Sequence, residues 1–204
     1  MRLYLASGNP HKAAELQAMA ERSATAGGPR LEVWSAAAVG GMPNVVEDTG
    51  TFVGNAWKKA RALRGRLPAG GWALADDSGL CVDELGGAPG VESAFYAGPQ
   101  GDPAANLAKL VAVMRAVPPA RRAAQFVCTL VLAGPEGEAP PFVGRCAGRL
   151  APAPRGSNGF GYDPLFVPDG HELTLGELAP AAKDQLSHRG RAWAECFAWL
   201  AARG

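Results

Sequence analysis

The stretch GWALADDSGLCVDELGGAPG, residues 71–90, decides how the fold of this chain is interpreted. An apolar run, Trp72 to Ala75, is followed by two adjacent aspartates, Asp76 and Asp77, and then by a second apolar run. The pattern predicts a strand over residues 72–75 and another over 80–85, so the aspartates are expected where a buried strand stops. Adjacent side chains on a strand point to opposite faces, so a strand end sends only one of the two directly into a cleft.

Two carboxylates this close repel each other unless a cation or hydrogen-bond donors compensate them. Beside glycines, the pair indicates a hard divalent ion such as Mg²⁺, which binds through one or two carboxylates, water and substrate phosphates. The alternative is a solvated turn in which Asp76 or Asp77 caps backbone N–H groups.

The composition is that of an ordinary globular protein. Of 204 residues, 48% are hydrophobic and 19% charged, and the 20 basic and 19 acidic side chains nearly cancel, which argues against binding a nucleic-acid polymer. Four scattered cysteines without C-x-x-C spacing are expected to be reduced core thiols. We expect no membrane association and a cytoplasmic location, because no apolar run suits a signal peptide or reaches the ~20 residues of a membrane span.

Helical and strand patterns interleave along the chain, and no linker separates independent domains. The predicted helices span about residues 10–22, 54–66, 103–117 and 189 onward. The other predicted strands span about residues 2–6, 31–35, 126–132 and 142–150. A hairpin is predicted near residues 134–137, so the interleaving indicates an α/β fold with a mixed sheet.

Two further clusters are polar turns that lead into helices. SGNPHK, residues 7–12, could offer backbone N–H groups to phosphate with Lys12 adding a charge, or could be ordinary helix capping. EDTG, residues 47–50, precedes a helix bearing Lys58 and Lys59, which could supply a metal ligand and a phosphate contact. A solvated charged face is the alternative there.

Two more clusters lie in the last third of the chain. SNGFGYDPLF, residues 157–166, could present Phe160 on a glycine-rich loop for stacking on a nucleobase. The alternative is a turn whose Phe160 and Tyr162 pack into the core. Lys183 and the Ser187–Arg189 segment place basic groups before the final helix, where they could equally be surface charges.

Together these segments resemble the non-canonical purine nucleoside triphosphate pyrophosphatases, the inosine/xanthosine triphosphate pyrophosphatase family. Five segments occur in that family's order between Leu5 and about Arg191: LASGNPHKAAEL, EDTGTFVGNAWKKA, ADDSGLCVDELGGAPGVESAFYAG, GFGYDPLF and SHRG. The resemblance implies an elongated mixed β-sheet flanked by helices, in one domain over residues 1–204 with two lobes and a nucleotide-binding cleft between them. It also implies a homodimer that uses Mg²⁺ to hydrolyse the α–β phosphoanhydride of ITP, dITP and XTP, giving the nucleoside monophosphate and pyrophosphate.

The resemblance also implies roles for individual residues by motif position. Asp77 is implied as the general base. The implied metal ligands are Glu47 and Asp77, with Asp76 beside them. The implied substrate-binding residues are Ser7, Gly8, Asn9, Pro10, His11, Lys12, Lys59, Ser78, Phe160, Gly161, Tyr162, Asp163, Lys183, His188 and Arg189.

Two departures from the family pattern and two alternatives accompany this interpretation. The segment after EDTG is one residue shorter than usual, with Gly54 where a glutamate is common, and Phe95 replaces an arginine. A pyrophosphatase for other modified or common nucleotides is one alternative, and a nucleotide-binding module without turnover is the other. For the purine hydrolase, Arg189 or backbone N–H groups are expected to recognise the 6-keto oxygen of the base.

Overall fold

A computed structural model describes residues 1–203 as seven strands and five α-helices, with four short 3₁₀ helices between them. The strands are Arg2–Leu5 (β1), Glu32–Ser35 (β2), Trp72–Val82 (β3), Ala123–Gly134 (β4), Gly137–Glu138 (β5), Phe142–Leu150 (β6) and Phe166–Pro168 (β7). The helices are Pro10–Thr25 (α1), Phe52–Arg64 (α2), Pro103–Met114 (α3), Pro180–Leu186 (α4) and His188–Ala201 (α5).

The strands form one mixed sheet in the order β2-β1-β3-β4-β6-β7, with β5 paired to β4. β1 runs parallel to β2, with Leu5 opposite Ser35, and parallel to β3, with Leu5 opposite Leu74. The β4–β5 and β6–β7 pairs are antiparallel. The predicted α/β fold with a mixed sheet flanked by helices is confirmed.

The chain divides into two compact units. The first contains residues 1–77, 128–144 and 189 onward, and the second contains residues 78–127 and 145–188. Strands β3, β4 and β6 each pass from one unit to the other partway along their length.

In the first unit, successive residues of β3 pack against different helices. Leu74 belongs to a buried cluster with Leu16 of α1 and Trp193 of α5. Ala75 belongs to a second buried cluster, which includes Ala60 of α2. Because strand side chains alternate between faces, the residues that follow Ala75 are also directed alternately toward α1 and α5 and toward α2.

The core of the second unit is built around aromatic side chains. Phe126 and Phe166 meet edge to face with ring centroids 4.9 Å apart, and Leu110 of α3 packs in the same cluster. Helix α3 begins as predicted, because Asp102 accepts a hydrogen bond from the Ala104 N–H at 2.9 Å. The helix ends earlier than predicted, at Met114, and the Val117 N–H then closes a turn onto the Met114 carbonyl.

The prediction of two strands separated by Asp76 and Asp77 was wrong. β3 runs without interruption from Trp72 to Val82 and lies between β1 and β4 in the strand order. The aspartates therefore lie inside an interior strand rather than at its end or at a sheet edge. The apolar pattern breaks at the two charged residues, and a local pattern does not show that cations from elsewhere in the sequence compensate them.

Within residues 1–203, no helix combines the length and the apolar character that a membrane span requires. All four cysteines are free, and Cys128, Cys146 and Cys196 are buried. The sequence pattern did not predict α4, β5 or β7, which are all short.

Candidate active site

Asp76 and Asp77 are neighbours in sequence but contact different helices. Asp76 continues the face of β3 that packs on α1 and α5, and it pairs with Lys12 and Arg189. Asp77 lies on the other face and pairs with Lys59 of α2. The two side chains thus lie on opposite faces of β3 and form ion pairs with different residues, although the charge of Lys12 also acts on Asp77.

The Asp76 carboxylate is completely buried and is held by three donors. Lys12 Nζ lies 2.6 Å from Oδ1, and Arg189 Nε lies 2.7 Å from Oδ2. The Cys128 thiol also donates to Oδ2 at 3.4 Å. Arg189 Nη1 in turn lies 2.7 Å from Glu15 Oε2, so two cations and two carboxylates form a formally neutral cluster.

Charge compensation keeps Asp76 ionised. Burial alone would raise the pKa of this carboxyl, but the charges of Arg189 and Lys12 outweigh it and hold the pKa well below its usual value. The same pairing raises the pKa of Arg189 despite its burial. Asp76 and Arg189 are therefore both charged at neutral pH.

The Asp77 carboxylate is compensated only in part. Lys59 Nζ lies 2.6 Å from Asp77 Oδ1 and 2.8 Å from Glu47 Oε2. The other oxygen, Asp77 Oδ2, is buried and has no hydrogen-bond partner. Two carboxylates share one ammonium, so this group has a formal charge of −1.

The pKa values of this group follow from its burial. Burial raises the pKa of Asp77 to about 6, although the charge of Lys59 opposes the shift. For Lys59, burial would lower the pKa, but the charges of Asp77 and Glu47 outweigh it and raise the pKa. Above pH 6 the group therefore holds a charged carboxylate whose free oxygen is turned away from water.

These features suit a divalent cation. A buried carboxylate oxygen without a donor, a second carboxylate that is partly exposed and a net negative charge form the set of hard oxygen ligands that Mg²⁺ prefers. Residues 1–203 contain no group of three His, Cys, Asp or Glu side chains arranged to hold a metal. The expectation that Asp76 joins Glu47 and Asp77 as a ligand finds no support, because Asp76 is on the other face and engaged by Lys12 and Arg189.

The turn before α1 positions Lys12. Asn9 caps the helix, since its Oδ1 accepts from the N–H groups of His11 at 2.9 Å and Lys12 at 3.4 Å. Ser7 Oγ accepts from the Asn9 N–H at 3.1 Å. Side chains of the turn thus engage the N–H groups of Asn9, His11 and Lys12, and phosphate binding by Ser7 to Lys12 stays a prediction.

The loop that carries Glu47 is fastened to the start of α2. Thr49 donates to Asn55 Oδ1 from its hydroxyl at 2.8 Å and from its N–H at 3.2 Å. A Cβ at Gly54 would lie 2.3 Å from Thr49 Oγ1, so a side chain does not fit there. Gly54 and the short segment before it therefore serve the same purpose, because both let the loop approach the start of α2.

The second unit contains the residues that were predicted to bind the base, except Arg189, which belongs to the first unit. Asp163 Oδ2 accepts from the Phe160 N–H at 2.8 Å and from Lys183 Nζ at 2.6 Å. Lys183 Nζ also lies 5.1 Å from the centre of the half-buried Phe160 ring. Gly159 has a φ of +73°, and a Cβ there would lie 2.2 Å from Asp163 Oδ2, so this turn requires glycine.

The structure distinguishes the two aromatic residues of this loop. Tyr162 is buried in the core of the second unit, and its hydroxyl donates to the Ser93 carbonyl at 2.8 Å. For Tyr162 the structure therefore agrees with the alternative in which the side chain packs into the core. Phe160, beside Gly161, is only half-buried. His188 stacks on Phe126 with ring centroids 4.6 Å apart and is buried, whereas Ser78 is half-buried.

Arg189 is placed differently from the expectation that it recognises a base. Its side chain is 2% exposed, and its Nε and Nη1 atoms are bonded to Asp76 and Glu15. A base contact would require the guanidinium to leave this cluster. Sequence reasoning missed Glu15 and Cys128, although Glu15 could have been found, because it lies three residues after Lys12 on the same helix and so on the same face.

Replacing Asp76 by Asn should destabilise the protein, because Lys12 and Arg189 would lose a buried counter-charge. Breaking a buried pair in this way costs about 3–5 kcal/mol. The Asp76 pKa is lowered on folding, so its contribution is present above the ordinary pKa of 3.8 and is lost as the pH falls below it. Urea unfolding at several pH values should show a gap between wild type and Asp76→Asn that is largest near neutrality. Asp48→Asn, at an exposed ion pair, should show little change, and equal effects of both variants would contradict the assignment.

Replacing Gly54 by Ala should lower the melting temperature. Alanine normally stabilises a helix by about 0.5–1 kcal/mol relative to glycine, but overpacking against Thr49 costs about 1–3 kcal/mol. Gly65→Ala at the end of the same helix is the matched control, since the nearest atom to its Cβ is 3.7 Å away. Thermal unfolding should rank Gly65→Ala at or above wild type and Gly54→Ala below it, and a Gly54→Ala protein as stable as wild type would contradict the packing argument.

Comparison with known proteins agrees with the predicted resemblance. A model of the Ham1 family matches residues 3–199. A dITP/XTP pyrophosphatase of Opitutus terrae is 58% identical over 199 residues, which cover 98% of both chains. The structure of the Staphylococcus aureus Ham1 protein aligns with a TM-score of 0.83 at 32% identity and covers 100% of both chains. That of a nucleoside-triphosphatase, dITP/XTP pyrophosphatase, from Mycobacterium abscessus aligns with a TM-score of 0.73 at 43% identity over 96% of this chain and 98% of that chain. The chain therefore belongs to the Ham1 family.

Proposed function

We propose that this protein hydrolyses the α–β phosphoanhydride of ITP, dITP and XTP, releasing the nucleoside monophosphate and pyrophosphate. The observation that carries the proposal is the Asp77 carboxylate, which has one oxygen on Lys59 and the other buried without a donor. A sensor that only binds nucleotide has no need of such a carboxylate. The activity in the names of the relatives supports the same conclusion.

Asp77 is assigned as the general base. In the metal-free protein its pKa of about 6 makes it more basic than an ordinary aspartate, and catalytic bases work best with a pKa near the working pH. Its role is to accept a proton from the water that attacks the α-phosphorus. Lys59 also pairs with Glu47, so the carboxylates of Glu47 and Asp77 are held together on the same side of β3.

Lys12 and Lys59 are assigned to the phosphates. Both are basic side chains of the first unit, and cations that balance the charge of a triphosphate are a large part of phosphoryl-transfer catalysis. A divalent ion held by Glu47 and Asp77 would neutralise further phosphate charge and make water more acidic. We propose Mg²⁺ for that ion, because the two residues offer only hard oxygen ligands.

Recognition of the base is assigned to the second unit, with Phe160 as the stacking ring. Asp163 fixes the backbone of Phe160 and the ammonium of Lys183 through one oxygen, so both are held in one orientation. The 6-keto oxygen of hypoxanthine and xanthine accepts a hydrogen bond, whereas adenine presents an amino group there. A hydrogen-bond donor of the protein facing position 6 of the base can therefore discriminate hypoxanthine and xanthine from adenine by about 10⁴-fold.

We propose further that residues 1–204 act as one pyrophosphatase domain, that the protein works as a homodimer and that it acts in the cytoplasm on the free nucleotide pool. A nucleotide-binding cleft between two lobes stays a prediction. The small-molecule substrate agrees with the near-zero net charge, which provides no general basic field for a nucleic-acid polymer.

The test of the function is pyrophosphate release in the presence of Mg²⁺. ITP, dITP and XTP should be cleaved well ahead of the four common nucleoside triphosphates and dUTP. Equal cleavage of the common nucleotides would replace the proposal by a general pyrophosphatase. Binding of ITP without any pyrophosphate release would replace it by a nucleotide-binding module.

Asp77→Asn should lose turnover by about 10²–10⁴-fold, the usual contribution of a general base. Because folding raises the pKa of Asp77, its charged form is disfavoured in the folded state, so the neutral Asn should not destabilise the protein at pH 8. Pyrophosphate release and urea unfolding measure the two effects. Near-normal turnover in a folded Asp77→Asn protein would remove Asp77 from the role of base.

Phe160→Ala should raise KM for ITP about tenfold, because stacking on an aromatic ring contributes ~1–3 kcal/mol per base. Steady-state kinetics of pyrophosphate release give the value. Trp34→Ala removes another surface aromatic from the first unit and is the control, with an unchanged KM. An unchanged KM in Phe160→Ala as well would assign base stacking elsewhere.

A further inference from the structure

We infer that the Lys59 ammonium is an internal cation that a divalent metal must displace from Glu47 and Asp77. The inference deepens the proposed function, because it rests on these two carboxylates being the metal ligands. It assigns Lys59 two alternating positions: on the carboxylates before the metal enters, and directed toward the anionic substrate afterwards.

The contacts of Lys59 are those of a cation in a carboxylate site. Its Nζ lies 2.6 Å from Asp77 Oδ1 and 2.8 Å from Glu47 Oε2, two oxygens from separate segments of the chain. The side chain is only 10% exposed, and so is that of Asp77. The ammonium therefore occupies the position where the two carboxylates converge.

Charge decides between sharing and displacement. The carboxylates of Glu47 and Asp77 and the ammonium of Lys59 have a formal charge of −1 together, so the ammonium does not fully compensate the two carboxylates. A divalent ion added beside the ammonium would give +1 and would place two cations on the same oxygens, next to Lys59 and Asp77 side chains that are only 10% exposed. Like charges at such short range repel strongly where water is largely excluded, so the ammonium has to move.

The structure also supplies the first ligand for an arriving ion. Asp77 Oδ2 is buried and has no hydrogen-bond partner, so it can accept a cation before Lys59 leaves Oδ1. A lysine is suited to the exchange, because its ammonium is a point charge on a flexible four-carbon chain. On the other face both oxygens of Asp76 already accept from cations, Oδ1 from Lys12 and Oδ2 from Arg189.

The adjacent lysine provides a matched control. Lys58 is next to Lys59 on α2, but its Nζ pairs with Asp48 and donates to the Val46 carbonyl at 2.9 Å. These contacts flank Glu47 without touching its carboxylate. Removing Lys58 therefore deletes the same charge from the same turn of helix without vacating the carboxylate site.

The experiment is a calorimetric titration of Mn²⁺ alone into nucleotide-free, chelator-treated protein. Lys59→Met should bind Mn²⁺ at least about tenfold more tightly than wild type, because the competing charge is gone. Lys59→Arg should bind it more weakly, since a guanidinium fork holds two carboxylates more firmly than an ammonium does. Lys58→Met should show no tightening.

Each outcome decides the matter. Lys59→Met binding Mn²⁺ no more tightly than wild type, or Lys58→Met tightening as much as Lys59→Met, overturns the inference. Should Lys59→Met fail to fold by circular dichroism, Lys59→Arg carries the test, and equal or tighter binding in it overturns the inference. Turnover is not needed for any of these readings, so a wild-type protein that releases no pyrophosphate refutes the proposed function while the order of Mn²⁺ affinities still tests the displacement.

Discussion

The first unit is organised around the ion pairs of Asp76. A carboxylate with no exposed surface is very unfavourable unless cations and hydrogen bonds compensate it, and here Lys12, Arg189 and Cys128 do so. These partners come from α1, α5 and β4, so one side chain fixes three segments of the chain around β3. Buried ion pairs often add little net stability compared with apolar packing, but they penalise any arrangement in which a partner is missing.

The contrast between the two aspartates indicates how one strand can combine structure and chemistry. The cluster around Asp76 is neutral and includes Glu15, so it gains nothing from a further ion. The group around Asp77 is negative and has a buried oxygen without a donor, an arrangement that is costly in the free protein. Incomplete compensation of this kind is common at functional sites, because the missing partner is the ligand or the reacting group.

The sequence predicted best those features that depend on neighbouring residues. The start of α1 at Pro10 and of α3 at Pro103 followed from a capping side chain and a proline, which act within one turn. The continuity of β3 could not be predicted from local pattern, because the partners of Asp76 lie 64 and 113 residues away. The family resemblance proposed the polar residues of the site but could not show their pairing, so the ion pairs of Asp76 with Lys12 and Arg189 were not predicted.

The choice of basic residue agrees with these different roles. Arg189 uses two nitrogens of a rigid guanidinium to bridge Asp76 and Glu15, a geometry that a single ammonium could not maintain as firmly. Lys59 also joins two carboxylates, but from one rotatable nitrogen on a flexible chain, and one of its partners is 39% exposed. A permanent structural bridge favours the planar fork, and a bridge that must open for an ion favours the mobile point charge. The two faces of β3 thus differ in how firmly their cation is held, and the exchange proposed at Asp77 depends on that difference.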